Sequence, residues 1–160
     1  MLIKVDVYEE VEADRTATGQ AMGVVVLSSL AAGIGIGLPA GIAGLVVGTV
    51  VSLIGWFIWA GLAHLIGTRI LPTPNTESTW GQVLRTTGFS VAPGMFRVFS
   101  LIPVLGIFID VAVLIWMLVT FVVAVRQALD YQSTWRAIAV CMTGWLVYVF
   151  IGFLLVPAAI

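Results

Sequence analysis

From Thr16 to Thr68 the chain contains no Asp, Glu, Lys or Arg. As one helix that run would reach roughly 80 Å, against a bilayer hydrocarbon core of about 30 Å. The run must therefore fold back once. The stretch GLPAG, residues 37–41, is the natural corner, because Pro39 removes a backbone donor and its flanking glycines permit a tight turn. The alternative, a soluble fold, fails on composition. Only 9% of the residues are charged and 61% are hydrophobic, whereas a soluble domain carries about a quarter charged residues. The mean hydropathy of +1.14 agrees. The chain reads as an integral membrane protein.

The remaining segments complete an all-α, polytopic transmembrane bundle with five membrane segments. Helices are expected over about 18–37, 41–67, 80–102, 104–127 and 134–156. The segment TRILPTPNTEST, residues 68–79, is polar, contains two prolines and reads as a loop. The third helix carries Pro93 and Gly94 near its middle, so it is kinked there or re-entrant. Residues 1–160 form a single membrane-embedded domain, with 1–17 as a short cytoplasmic segment. The first 18 residues hold five acids and two bases, the reverse of a signal peptide's basic start.

Charge asymmetry gives the expected orientation. Five crossings put the N-terminus, the 68–79 loop and the 128–133 loop on one side, and Lys4, Arg15, Arg69, Arg85, Arg126 and Arg136 fall on or near it. The opposite corners carry no base. The positive-inside rule then makes the N-terminus cytoplasmic and the C-terminus external. Trp80, Tyr131 and Trp135 fall at the same boundary, where amphipathic rings prefer to sit.

Small residues suggest how the first two helices meet. Ala21, Ser28, Ala32 and Gly35 share one face of the first, and Gly41, Gly44, Gly48, Ser52 and Gly55 share one face of the second. Folded at residue 38, Gly35 meets Gly41, Ala32 meets Gly44, Ser28 meets Gly48 and Ala21 meets Gly55. Such faces let backbones approach closely, a main source of helix attraction in lipid. The run GIGIGLPAGIAG is no phosphate loop, because no strand precedes it and its setting is apolar.

Two charges stand inside the apolar stretch GMFRVFSLIPVLGIFIDVAV. If the chain turns at Pro103, Arg97 and Asp110 lie at equal depth, roughly 10 Å from the corner. Charges at such depth usually pair or face a cavity, so a pair across the hairpin is expected, fixing helix register. A polar path for an ion or proton is the alternative. His64 is a candidate ligand for a haem or pigment metal, but no second His, Cys or Met is evidently placed beside it. A hydrogen-bonded interfacial histidine is the simpler role. Arg126, Asp130 and Arg136 border the polar stretch RQALDYQSTW and are candidates for protein contact at the cytosolic face. The single cysteine, Cys141, excludes a disulfide framework, and the net charge of −1 gives no field for nucleic acid. No catalytic constellation, metal site or cofactor is expected.

The stretches WGQVLRTTGFSVAPGMF and IPVLGIFIDVAVLIWMLVTFVVAVRQALDYQSTWRAIAV resemble the Yip family, Ypt/Rab-interacting proteins, in its bacterial branch. The elements are Gly88-Phe89-Ser90 with Pro93, Pro103 with Gly106, Trp116, Ala124-Val125-Arg126 through Asp130, and Ser133-Thr134 with Arg136-Ala137. The resemblance spans roughly residues 16–157. It implies a five-helix membrane bundle without catalytic chemistry, whose eukaryotic members act in vesicle trafficking and bind Rab-type GTPases and one another. This chain lacks their long N-terminal region and their Asp-Leu-Tyr-Gly-Pro motif, so no GTPase-binding residue carries over. The expected function is that of an inner-membrane organising factor or accessory subunit, its partners being the lipid bilayer and other membrane proteins or further copies of itself. A small transporter or channel component is the alternative.

Overall fold

A computed structural model describes residues 5–74 and 76–155, and every regular element in it is helical. In chain order these are α1 (Val5–Ala13), α2 (Ala17–Ala32), α3 (Gly41–Leu65), α4 (Trp80–Ser90), α5 (Leu105–Ala128) and α6 (Thr134–Leu155). A wide π turn, Gly33–Gly37, extends α2, and another, Ile66–Ile70, extends α3. Among the described residues, three helical stretches are long and apolar enough to cross a membrane: Ala17–Gly35, Leu38–Ile70 and Leu105–Ala128. Lys4 and Val156, the last residue of the final expected helix, lie outside the described residues.

The N-terminal segment is itself ordered. α1 packs over α4 and α5 and buries Tyr8. Asp14 then starts α2, its Oδ1 accepting from the backbone N–H and the hydroxyl of Thr16 at 2.8 and 2.6 Å. At the other end of α2 the chain stays helical past Pro39 and turns at Gly41, whose φ of +84° suits glycine. The corner is thus later than residue 38, and the expected register shifts. Gly33, not Gly35, faces α3, where a Cβ would overlap the Thr49 hydroxyl.

The third expected helix is broken. α4 ends at Ser90, and Ala92–Leu101 continues as a 3₁₀ helix of ten residues, far longer than the three or four residues usual for that form. Pro93 supplies the reason: it has no N–H for the carbonyl of Phe89, and its ring disfavours helical geometry at Ala92. The break leaves the Ser90 carbonyl without its α-helical donor, while that of Val91 accepts from the Gly94 N–H at 2.8 Å. Thr120 of α5 donates to Ser90 at 2.7 Å and Ser28 of α2 donates to Val91 at 2.9 Å. Both hydroxyls are buried.

This broken segment, and not α3, receives the small-residue face of α2. A Cβ at Gly88 would sit 3.0 Å from that of Ala21, and one at Gly94 would sit 3.3 Å from that of Ser28. A Cβ at Gly35 would overlap the carbonyl of Arg97. Contacts advance together along both chains, so the segment runs parallel to α2. The expected contacts of Gly35 with Gly41 and of Ala21 with Gly55 are therefore not made; a Cβ at Gly41 or Gly55 would meet nothing within 4 Å. Gly44, Gly48 and Ser52 do lie on the half-buried side of α3, with Trp56. Ala32 is buried.

α5 returns antiparallel to the 3₁₀ segment. The turn at 102–104 is tight, with Val104 at φ +69° and the Gly106 N–H donating to Ile102 at 2.8 Å. A Cβ on Gly106 would overlap the Ser100 carbonyl. The outward faces of α3 and α5 expose Ile42, Val47, Ile107 and Phe108, as lipid-facing helices do.

Two tests follow from this packing. Gly35→Ala and Gly106→Ala force backbone apart and should each cost about 1–3 kcal/mol in detergent unfolding. Gly23→Ala, with nothing within 4 Å of its Cβ position, should be neutral or slightly stabilising. Equal effects at the three positions would refute the close contacts. Separately, Thr120→Val keeps side-chain volume but strips the donor from Ser90, and should destabilise by about 1–3 kcal/mol by the same measurement.

Candidate functional site: a polar end and an intramembrane cavity

The chain gathers its polar segments at one end of the bundle. Gln127 donates to Glu9 at 3.0 Å, joining α5 to α1, and Arg85 Nε donates to the Val11 carbonyl at 3.2 Å. Tyr131, on the α5–α6 loop, sends its hydroxyl to the carbonyls of Gly67 (3.1 Å) and Leu71 (2.7 Å) at the end of α3. It is only 3% exposed, so it is a buried strut and not the interfacial ring expected from the sequence. Trp135 is 78% exposed, as an interfacial ring would be. α4 begins beside them with a capping box, Thr79 and Gln82 bonding reciprocally.

The three expected contact residues have different fates here. Arg126 is occupied: its guanidinium donates to the carbonyls of Tyr131 and Gln132 and to the Thr134 hydroxyl at 3.1–3.2 Å. It closes the α5–α6 loop, as a planar fork can. Asp130, at φ +51°, and Arg136 instead border a polar cleft of about 260 Å³ with Thr73, Pro74, Gln132 and Ser133. Desolvation in that cleft, then the negative charges of Glu77 and Glu9, push the Asp130 carboxyl above the usual carboxylate range. Burial likewise raises the Tyr131 phenol, with Arg136 acting the other way.

Deeper in the bundle, Arg97 and Asp110 share the hairpin without forming the expected close pair. The Asp110 carboxylate accepts from the Ser100 hydroxyl at 2.5 Å. Among the described residues Arg97 has no carboxylate within 4 Å, and the Asp110 charge reaches it only through space. Ser100, one 3₁₀ turn nearer the corner than Arg97, takes the Asp110 carboxylate instead.

Arg97 instead lines a cavity of about 300 Å³ between α2, α3, the 3₁₀ segment and α5. Ser28, Ser29 and Ser52 supply hydroxyls to its wall, and Leu114, Leu118 and Phe121 supply most of one apolar side. Trp56, another wall residue, is 7% exposed and its indole N–H has no acceptor. Sequence reasoning missed Trp56 and Ser29, because neither differs in pattern from ordinary packing residues; an arginine deep in an apolar hairpin was the only signal. His64 lies elsewhere, its ring edge-on to Trp80 at 5.7 Å with Nδ1 unpartnered. Among the described residues no group of three or more His, Cys, Asp or Glu is placed to hold a metal.

A family model described as the Yip1 domain matches residues 6–156. No curated protein and no solved structure matches the chain.

The cleft yields a pH prediction. Because the folded Asp130 carboxyl holds its proton more tightly than the unfolded one, the native state is favoured at acid pH. That advantage is lost as pH rises from the ordinary carboxylate value toward the raised one. Asp130→Asn suits the positive φ and carries no charge. It should match wild type in thermal stability near about pH 4 and exceed it at neutral pH. A constant difference across that range would show that Asp130 does not titrate abnormally.

Proposed function

The chain belongs to the Yip1 domain family, and we propose that it is a non-catalytic, multi-pass protein of a bacterial inner membrane that works by holding other membrane proteins. It acts as an organising factor or accessory subunit, through helix–helix contacts and through its polar end. The observation that carries this reading is the joining of α1, the end of α3 and the α5–α6 loop at one end of the bundle by the bonds of Gln127, Arg85 and Tyr131. That grouping is what five crossings require. The broken third segment supports it further, for α4 and the 3₁₀ helix together reach about 36 Å, enough for a hydrocarbon core of about 30 Å.

In this reading the polar end is cytosolic, where Arg15, Arg69, Arg85, Arg126 and Arg136 lie on or near it, and the C-terminus is external. Asp130 and Arg136, bordering the open cleft, are the contact candidates; Arg126 serves them by shaping the loop. The domain is a single membrane-embedded unit. A second reading, a small transporter or channel component, rests on the cavity beside Arg97; solute flux into liposomes holding the purified protein would separate the two.

Topology tests the first reading directly. In a variant with Cys141 replaced by Ser, cysteines introduced at Glu77 and Gln132 should react with a membrane-impermeant reagent only after the cytosolic side is opened. A reporter fused beyond Ile160 should be active only outside. Labelling of position 132 from outside would overturn the five-crossing arrangement. A photo-crosslinking residue at Asp130 or Arg136 should then give discrete protein adducts in membranes, and a smear or none at either position would count against a cytosolic contact face.

A further inference from the structure

The cavity beside Arg97 lies between α2, α3, the 3₁₀ segment and α5 and opens past the half-exposed Leu114 and Leu118, and its donors are unmatched by acceptors. Its one charge is a guanidinium; no Asp or Glu stands in its wall. Asp110, the nearest carboxylate in the hairpin, is taken by Ser100. The buried Trp56 indole N–H has no acceptor. The Ser28 hydroxyl spends its proton on the Val91 carbonyl, while Ser29 and Ser52 bring two more hydroxyls to the wall. A positive, donor-rich patch in an otherwise apolar setting is costly unless something negative and rich in acceptors meets it. The rest of the wall, including Trp59, Leu114, Leu118 and Phe121, suits hydrocarbon. Its volume, about 300 Å³, is at the lower end for small-molecule sites, room for one chain and not two.

We infer that this cavity binds an anionic amphiphile, with an acidic headgroup, carboxylate or phosphate, on Arg97 and a single hydrocarbon chain along α5. The source is a free fatty acid or one chain of an acidic phospholipid; both present the same chemistry to the site. The inference is independent of the protein-holding role, because it concerns the groove beside Arg97 and not the polar end. Gly55 provides the sharpest handle. It lines the cavity, and a Cβ there would meet nothing within 4 Å, so Gly55→Leu fills the space without displacing the fold.

The test is native mass spectrometry of the full chain in a non-ionic detergent, with oleate, phosphatidylglycerol and phosphatidylcholine added separately. One oleate or one phosphatidylglycerol should bind at least tenfold more tightly than phosphatidylcholine, and which of the two binds identifies the source. Arg97→Gln and Gly55→Leu should each weaken that binding at least tenfold. Arg69→Gln, remote from the cavity, should leave it unchanged. Thermal unfolding without added lipid checks that each variant is folded; should Arg97→Gln not fold, Gly55→Leu decides the matter. Equal binding of phosphatidylcholine, or undiminished binding in folded Gly55→Leu, would overturn the assignment.

Discussion

Two hydroxyls hold this bundle together at its weakest point. A helix broken in a buried setting leaves backbone groups away from water, and each left unpaired costs about 1–3 kcal/mol. Pro93 makes such a break, and Ser28 and Thr120 answer it from the helices on either side. The broken segment is thereby tied to α2 and α5 at one level. Much else depends on this knot. It fixes the register in which Ala21, Ser28 and Gly35 meet Gly88, Gly94 and Arg97, and it sets where the 3₁₀ helix begins.

The long 3₁₀ run then determines the chemistry of the interior. With three residues per turn, side chains three apart fall on one face, so Gly94, Arg97 and Ser100 stand in a row between α2 and α5. Gly94 lets Ser28 come close, Ser100 takes Asp110, and Arg97 is left over the cavity. An α-helix through the same residues would have spread them around its axis.

Much of the architecture was legible in the sequence. The uncharged run ended close to where α2 and α3 end, the loop after Arg69 and the turn at 102–104 were marked by proline, and Pro93 with Gly94 announced the break. A stripe of small residues names a face but not its partner, however. That is why Ala21, Ser28 and Gly35 were assigned to α3 when they pack on the third segment. Register was lost for a related reason: the chain stays helical through Pro39 and turns at Gly41. That shift leaves no trace in hydrophobic pattern. α1 was invisible because its acids read as a solvated tail, although Tyr8 is buried. Of the candidate residues, Arg97 stood out as a charge in an apolar stretch, and the structure gives its expected partner Asp110 to Ser100.

Beyond the turn at Gly41, α3 (25 residues) and its π extension (5 residues) run on to Ile70, about 45 Å at the α-helical rise and well beyond the roughly 30 Å that lipid chains provide. Left to itself such a helix would lean over or stretch the bilayer around it, at a cost that grows with each ångström of misfit. Here its final turns have another covering: Ile66 is 1% exposed, Leu129 presses on Gly67, and the Tyr131 hydroxyl clasps the carbonyls of Gly67 and Leu71. The excess length is sheathed by protein on one side. The membrane thickness that fits this protein is therefore governed in part by Leu129 and Tyr131, two side chains shielded from the bilayer.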